Sequence, residues 1–370
     1  MNLHKTFVVL LALLLAGMAI APVASAEQDQ VSAINTDFQI PQLDTKSSLA
    51  IKNVDLPLSP MDDKSVYSIP EGSIIHHTSD GLTKVYDKDG KGIFSANDQD
   101  SQMIPTSAGI TKPATYIHLV PTDSHAYHKG KQTFVTDDKG NLILTIINDN
   151  PLASGTANSK SAVLFNEWIE WAEDTTVSSL TQFDAYWYVP SNPPSSESLE
   201  AIYLFNGISP SGGGPGIVQP VLEWNRPDTG LYWTATAWGC SPNPGEDDIG
   251  NRITVSTGDR LKGRLYWSTT YNQWYVQLSD LTQGTYSTVY SDILPGHTNL
   301  EAYVALEGYN FDDDTDVPGD TEFYDMVFRD SGTTVPMAFH DHYGSLALQR
   351  LSGLDVNILS GTDIWLNTAN

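Results

Sequence analysis

The chain is poor in cysteine and in basic residues, and beyond its N-terminus it has no long hydrophobic run. Its 370 residues include one cysteine, Cys240, so an intrachain disulfide and a cysteine-rich zinc site are both excluded. Lys and Arg total 19 against 45 Asp and Glu, which gives a formal net charge of −26. Because a phosphate backbone is bound by a basic surface, this excess of acid argues against nucleic acid as a partner.

The only long apolar segment lies at the N-terminus. Residues 1–26 have the pattern of a secretory signal peptide: Lys5 supplies the positive charge, Phe7 to Ala21 is apolar, and Ala24-Ser25-Ala26 is a small-residue cleavage site. No later segment approaches the ~20 apolar residues that a membrane helix needs. We therefore expect a secreted, extracellular protein that is a monomer and has no membrane contact once the signal is removed.

Several catalytic and metal-binding signatures are also missing. The sequence has no G-x-S-x-G, no H-E-x-x-H and no phosphate-binding G-x-x-x-x-G-K. His340-Asp341-His342 offers two imidazoles without an evident third ligand, and an exposed pair is the preferred interpretation. Asp312, Asp314 and Asp316 have alternating oxygens suited to calcium, but an acidic surface loop is preferred. The prediction is that the protein has no metal and no cofactor.

The composition that remains favours an all-β fold. Hydrophobic residues make up 40% of the chain, enough for a core, and 28 Gly with 21 Pro supply many turns. A weak internal repeat, Val85 to Phe94 and Val135 to Leu144, has the strand, Asp/Gly turn and strand of a hairpin. A Pro/Gly/Ser/Asn-rich stretch follows around Asn148 to Ser159. We therefore divide the mature chain into an N-terminal region, 27–150, and a second domain, 151–370.

The second domain contains about ten short strand-like runs separated by turns and almost no helical period, which predicts a sandwich of two antiparallel sheets. The runs are Trp168–Trp171, Phe183–Val189, Ile202–Phe205, Ile217–Trp224, Tyr232–Ala237, Ile253–Thr257, Lys262–Trp267, Trp274–Leu278, Thr288–Ser291, Tyr303–Leu306 and Phe323–Phe328.

Two of these runs carry polar residues in an apolar setting. In the run Ile217–Trp224, the period of two places Gln219 and Glu223 on one face. Pro220 cannot donate to a ladder, so this strand is expected at a sheet edge, or bulged or distorted at that point. In the segment Glu301–Glu307, which contains the run Tyr303–Leu306, the two glutamates also share a face. Each set either lies on a solvated face or lines a cleft, since burial of an unpaired polar group is costly.

Several segments together resemble the glutamic peptidases, both the fungal eqolisins and the neprosin group. Phe205-Asn206-Gly207-Ile208, a glycine turn, Ile217-Val218-Gln219 and Glu223 resemble the first catalytic segment. Leu231-Tyr232-Trp233-Thr234 with Gly239-Cys240 is similar to the neprosin segment that follows. Leu306-Glu307-Gly308, an acidic loop, and Thr321 to Val327 resemble the second catalytic segment. The resemblance covers about residues 160–330 and depends on the order and spacing of these segments.

The resemblance implies a concanavalin-like β-sandwich (jelly roll) with the catalytic pair side by side on its concave sheet. Gln219 matches the first catalytic position and Glu307 the second, with Glu301 as the fallback for the second. Neprosin has Glu where this chain has Gln219, which leaves proline-directed cleavage open. The cysteine that plant members pair with the equivalent of Cys240 is missing here. Neprosin-type enzymes also carry an N-terminal segment that is removed on activation, and residues 27–150 occupy that place, either as such a pro-region or as a permanent accessory domain.

A Gln/Glu pair can hydrolyse a peptide. The Glu307 carboxylate would take a proton from the attacking water and return it to the leaving amine, while the Gln219 amide would stabilise the oxyanion. Glu223 would orient Gln219 or the water, and Trp233 and Trp238 would either wall the cleft or pack in the core. An ordinary Glu titrates near pH ~4.3, so the expected activity is that of an acid endopeptidase acting on proteins or peptides.

Two other functions remain open. A carbohydrate-binding module would use aromatic platforms, for which Trp267, Trp274 and Tyr275 are candidates. A glycosidase would use two carboxylates, such as Glu223 with Glu307. Close approach of Gln219 and Glu307 in a cleft would favour the peptidase, whereas a cleft lined by aromatic platforms would favour the sugar-binding module.

Overall fold

Strands follow one another along almost the whole chain, as the alternating sequence and frequent turns predict. The structure is a computed structural model that describes residues 69–107, 109–150, 166–195, 200–212, 216–226, 229–241 and 247–370. These residues all belong to one compact unit. The predicted signal peptide, the lead-in before residue 69 and most of the predicted domain boundary lie outside the described residues. No helix among those described is long and apolar enough to cross a membrane.

The N-terminal region forms eight strands. Both halves of the internal repeat are hairpins, as predicted, and their turns are alike: the Asp87 carboxylate accepts from the backbone N–H of Lys91, and the Asp137 carboxylate accepts from that of Asn141. The strands are β1 (Ser73–His77), β2 (Leu82–Tyr86), β3 (Gly92–Asn97), β4 (Met103–Thr106), β5 (Ile110–Pro113), β6 (Ser124–Lys129), β7 (Gln132–Thr136) and β8 (Leu142–Asn148).

The second region adds the strands of a sandwich, and every predicted run coincides with one of them. They are β9 (Asn166–Ser179), β10 (Gln182–Tyr188), β11 (Ala201–Pro210), β12 (Ile217–Trp224), β13 (Trp233–Cys240), β14 (Asp248–Ile249), β15 (Ile253–Thr254), β16 (Arg260–Ser268), β17 (Gln273–Asp280), β18 (Thr285–Ser291), β19 (Thr298–Tyr309), β20 (Thr321–Asp330), β21 (Thr333–Thr334), β22 (His340–Tyr343), β23 (Asp355–Ser360) and β24 (Asp363–Asn367), with one short helix, α1 (Ala347–Arg350).

The strands pair into two large sheets and one hairpin within the described ranges. The inner sheet has the order β14-β13-β12-β11-β19-β9-β22, with β15 also paired to β13. The outer sheet runs β23-β24-β20-β10-β16-β17-β18 and then continues into the N-terminal region through a parallel pairing of β18 with β6. The hairpin β4-β5 belongs to neither sheet. The predicted all-β sandwich with a β-rich N-terminal region is confirmed.

Two apolar clusters hold these layers together. The larger one lies between the sheets and includes Phe183, Leu204, Leu265 and Phe323. The smaller one lies on the opposite face of the inner sheet and contains Phe205, Val221, Trp238 and Ala305, with Ile117 and Leu119 of the N-terminal region packed against it. Because a strand exposes alternate residues on opposite faces, the inner sheet is apolar on both sides. Its second face is therefore covered by the N-terminal region.

The strand that contains Pro220 is not at a sheet edge, so that part of the prediction is wrong. β12 pairs with β11 on one side and with β13 on the other. Its pairing with β11 is interrupted at Pro220 without a change of register, because Phe205↔Val221 and Ile208↔Val218 on either side of the gap are in the same register. Pro220 has no N–H to donate in this interval, and β12 is retained in the sheet by its continuous pairing with β13.

Candidate functional site

The predicted site residues lie on the second face of the inner sheet, the one covered by the N-terminal region. The register between β11 and β12 places Gln219 opposite Gly207, and a Cβ on Gly207 would lie 3.6 Å from that of Gln219. Gly207 in turn pairs with Tyr303 of β19. Gln219 and Tyr303 therefore lie in one row across the sheet, on either side of a glycine that leaves room between them.

Glu307 lies in a different row. It pairs with Tyr203 of β11, which pairs with Glu223 of β12. This row is four residues from Gln219, or about 13 Å along the strand. Glu301, which pairs with Ser209, lies on the other side of Gln219, two residues or about 7 Å away. Gln219 is thus located between the two candidate carboxylates. The side-by-side placement of Gln219 and Glu307 that the resemblance implies is wrong, because β11 separates their strands and their rows are four residues apart.

The turn of the β4-β5 hairpin reaches into this face and contacts Gln219. The side-chain amide nitrogen of Gln219 donates to the backbone carbonyl of Ser107 at 2.6 Å and to the Ser107 hydroxyl at 2.6 Å. The Cys240 sulfur lies 3.6 Å from the same nitrogen. Gln219 is completely buried in this arrangement. A peptide carbonyl is therefore bound by the amide that the sequence predicts as the oxyanion donor.

Other side chains of this face contact the same hairpin. The Tyr309 hydroxyl donates to the carbonyl of Thr106 at 2.7 Å, and the Tyr203 hydroxyl donates to the carbonyl of Pro105 at 3.0 Å. The backbone N–H of Gly109 faces the Glu307 carboxylate. Gln219 and Glu307 therefore contact positions of one tight turn that are two residues apart, although their own strands are separated by β11.

The environment of Glu307 favours its neutral form. Burial raises the pKa of Glu307 well above its ordinary value, and the Gly109 N–H opposes this only in part. Neither carboxylate oxygen makes a hydrogen bond of good geometry with a described residue. Because desolvation penalises the charged form, Glu307 holds its proton while the hairpin covers it.

Glu223 is tied into an ion-pair network. Its carboxylate accepts from the Trp238 indole N–H at 2.6 Å and from the Thr234 hydroxyl at 3.2 Å. Arg226 donates to it at 3.2 Å, and Arg252 lies 3.5 Å away. Glu223 thereby fixes the ring of Trp238, the residue that pairs with Gln219 across β12 and β13. Glu223 therefore acts on Gln219 only through this neighbour, since its carboxylate contacts Trp238, Thr234, Arg226 and Arg252.

Glu301 belongs to a separate polar group at the other end of the face. It accepts from the Tyr303 hydroxyl at 2.8 Å and from the backbone N–H of Gly212 at 2.8 Å. Ser209 completes the group through a hydrogen bond with Tyr303. These contacts direct Glu301 toward the loop after β11, whereas Glu307 faces the hairpin.

The predicted aromatic residues are divided between the site and the core. Trp238 lies on the covered face, whereas Trp233 packs between the sheets next to Trp224. Trp267 and Trp274 are also buried between the sheets, so they cannot act as sugar platforms. Tyr275 packs against Tyr290. Nothing in this arrangement builds the aromatic cleft that the carbohydrate-binding alternative requires.

Two groups of described side chains have oxygen or nitrogen atoms close enough to share a metal ion: His128 with Asp248 and Asp292, and Asp312 with Asp313 and Asp316. In the first group the His128 ring is hydrogen-bonded to Asp292 at 2.6 Å. In the second, Asp316 accepts from the backbone N–H groups of Asp312 and Asp313. Other groups of this protein therefore contact both sets of ligand atoms. Asp314, the remaining residue of the candidate calcium pattern, instead accepts from the backbone N–H of Ser352 at 2.6 Å.

The remaining metal candidate is a pair of histidines on the edge strand β22. His340 and His342 lie on β22, where His342 stacks on Trp171 and approaches the Glu173 carboxylate at 3.4 Å. His340 is exposed. The structure thus accounts for His342 by packing on the edge of the inner sheet.

Sequence reasoning missed the two tyrosines that bind the hairpin. Tyr203 and Tyr309 occur in strongly apolar strands, and their ring edges contact each other with centroids 5.9 Å apart. The signal available in the sequence was alternation along one strand, which places Tyr309 on the same face as Glu307. No such signal relates Tyr203 to the site, because its strand carries none of the predicted site residues. Their hydrogen bonds to residues about 100 and 200 positions earlier had no local signature.

No protein-family model matches the chain, and no curated protein matches it. Solved structures do show similarity. Scytalido-glutamic peptidase bound to a peptide-based transition-state analogue is 20% identical, over 55% of this chain and 100% of that chain, with a TM-score of 0.40. SCP-B, described as a member of the eqolisin family of peptidases in complex with the tripeptide Ala-Ile-His, is 19% identical over the same shares, with a TM-score of 0.39.

A third similar structure has a different description. The CBM2 module of the evolved Dit of Lactobacillus casei BL23 phage J-1 is 11% identical, over 52% of this chain and 84% of that chain, with a TM-score of 0.21. The functional proposal that follows is therefore argued from the residues of this chain.

Proposed function

We propose that this protein is a secreted, acid-acting glutamic endopeptidase that hydrolyses peptide bonds with Gln219 and Glu307. The observation that carries this proposal is the contact of the Gln219 amide with the Ser107 carbonyl, in which a backbone carbonyl occupies the position expected for the reacting carbonyl of a substrate. The resemblance of the Gln219 and Glu307 segments to the glutamic peptidases supports the same assignment.

The chemistry follows from the two side chains. When a substrate replaces the hairpin, Glu307 becomes hydrated, its pKa falls toward the ordinary value, and its carboxylate can accept a proton from water. The hydroxide attacks the carbonyl carbon, and the Gln219 N–H stabilises the developing oxyanion. Glu307 then donates the proton to the leaving amine, so that the C–N bond breaks and the carboxylate is regenerated.

The position of the hairpin favours the pro-region interpretation of residues 27–150 over that of an accessory domain. Its turn occupies the site, and Ile117 and Leu119 cover the apolar part of the same face. A buried ion pair, Lys112 with Asp247 at 2.6 Å, anchors its second strand to the sandwich. We therefore propose that the full chain is latent and that acid displaces or removes this region.

The test is cleavage of casein by the full chain, before and after incubation in acid, across pH 2–7. The wild-type protein should gain activity after acid treatment, and Gln219→Ala and Glu307→Gln should both abolish it. The new termini of the products would show whether proline directs cleavage. A folded, acid-treated wild-type protein that cleaves nothing would overturn the proposal.

A further inference from the structure

Three successive carbonyls of the hairpin are each held by a different side chain of the inner sheet. Tyr203 binds the carbonyl of Pro105, Tyr309 that of Thr106, and Gln219 that of Ser107. Donors that select backbone carbonyls in sequence are what a peptide-binding groove requires, since every peptide presents them whatever its side chains. Both tyrosine hydroxyls are phenolic donors fixed by buried rings.

We propose that Tyr203, Tyr309 and Gln219 form the substrate-binding groove on the N-terminal side of the cleaved bond. This inference rests on the proposed function, because it takes the carbonyl at Gln219 as the reacting one. Counting back from it, Gln219 binds the first residue before the cleaved bond, Tyr309 the second and Tyr203 the third. The substrate class is an extended peptide, in which a third residue before the cleaved bond adds the contact with Tyr203.

The side chains of the hairpin indicate which residues this groove accepts. Pro105, Thr106 and Ser107 are all buried against the sheet. The first position is confined by Cys240, whose sulfur is 4.0 Å from the Ser107 hydroxyl. A side chain much larger than serine would displace Cys240 or Gln219. We therefore expect cleavage after small residues.

The hairpin itself binds as an inhibitor because the chain reverses immediately afterwards. Gly109 has a φ of 73°, in the left-handed region that favours glycine, and the chain returns as β5. The hairpin chain therefore leaves the groove just after Ser107, whereas a substrate chain would continue along it. A linear peptide of the same sequence is free of this constraint and should be cleaved.

The experiment uses two peptides and the acid-treated full chain. The long peptide has the sequence of residues 104–111, Ile-Pro-Thr-Ser-Ala-Gly-Ile-Thr, and the short one begins at its threonine, so that the carbonyl at the third position is missing. Tyr203→Phe should raise KM for the long peptide about three- to tenfold and leave the short one unchanged. Tyr309→Phe should raise KM for both by a similar factor, with kcat retained.

Tyr266→Phe is the matched control, because Tyr266 is an exposed tyrosine of the outer sheet. Cleavage of the long peptide should follow its serine. Equal effects of Tyr203→Phe on the two peptides, or no effect of either substitution, would overturn the assignment. If the short peptide is not cleaved, its affinity is measured instead as the constant with which it inhibits cleavage of the long peptide, in the wild-type protein and in each variant.

A second measurement separates this inference from the proposed function. If the wild-type protein cleaves no peptide, the proposed function fails, and binding of the long peptide to the acid-treated chain is followed by tryptophan fluorescence. Weaker binding by the same three- to tenfold in Tyr203→Phe and Tyr309→Phe would still support the groove. Binding that neither substitution changes, or no binding, would overturn it.

Discussion

The side-chain amide of Gln219 donates a hydrogen bond to the backbone carbonyl of Ser107, 112 positions earlier in the chain, over 2.6 Å. One residue comes from the inner sheet of the sandwich and the other from the turn of an N-terminal hairpin. The contact therefore links the candidate catalytic face to the region that covers it. Latency, acid release and substrate binding all depend on this arrangement.

Loss of the ion pair that anchors the hairpin should activate the protein without acid. Lys112 and Asp247 both have side chains only 1% exposed. Lys112→Met leaves the Asp247 charge buried without this partner, at a cost of about 3–5 kcal/mol. We expect cleavage of casein by the untreated variant and a lower midpoint of thermal unfolding. Lys88→Met, which breaks the exposed pair with Asp89, is the control and should change neither.

Acid should weaken the N-terminal region through a pair of histidines. Burial lowers the pKa of His118 to about 4, and burial together with His118 lowers the pKa of His77 well below 6.5. Their ring nitrogens are 3.2 Å apart. The unfolded chain then binds more protons than the folded one between pH 6.5 and 4, so stability is lost as the pH falls through this window.

The histidine contribution can be isolated by substitution. His118→Leu should reduce the change in the free energy of unfolding between pH 6.5 and 4, measured by urea denaturation, by an amount on the order of 3 kcal/mol, whereas His340→Leu at an exposed site should not. Asp248 and Glu307 act in the opposite direction, because burial raises the pKa of Asp248 to about 7 and that of Glu307 well above its ordinary value, so acid stabilises the covered, folded form through both groups. An unchanged slope in His118→Leu would show that other groups drive the release.

An added methyl group at Gly263 should not be tolerated, because Gly263 of β16 packs against the face of β11 and β12 that lies opposite Gln219. A Cβ there would lie 2.0 Å from the Asn206 oxygen and 2.8 Å from Cγ of Pro220. Gly263→Ala must therefore displace β11 or β12, at a cost of about 1–3 kcal/mol, and shift Gln219. Urea denaturation should show the loss, with reduced kcat in the acid-treated form. Gly332→Ala has open space for its Cβ but a φ of 85°, so it should lose about 1 kcal/mol of stability from backbone strain alone and leave kcat unchanged.

The sequence predicted the sandwich because its strands have a strong period of two and clear turns. The resemblance implied that Gln219 and Glu307 lie side by side on one sheet; they do share a sheet face, but β11 and four residues along the strands separate them. The sequence pattern left Pro220 at an edge, at a bulge or at a distortion, and the edge is excluded because continuous pairing with β13 offsets an interrupted ladder with β11. The functions of Tyr203 and Ser107 could not be predicted, because they arise from contacts between segments about 100 residues apart.

The identity of the general base provides the most direct test of the mechanism. Glu307 faces the hairpin turn, whereas Glu301 is held by Tyr303 and the Gly212 N–H. The measurement is kcat at pH 4 for acid-treated Glu307→Gln and Glu301→Gln on the same peptide.

The account predicts that Glu307→Gln loses activity by at least about 10²-fold and that Glu301→Gln retains most of it. Full loss in Glu301→Gln with activity retained in Glu307→Gln would contradict it and assign the base to Glu301.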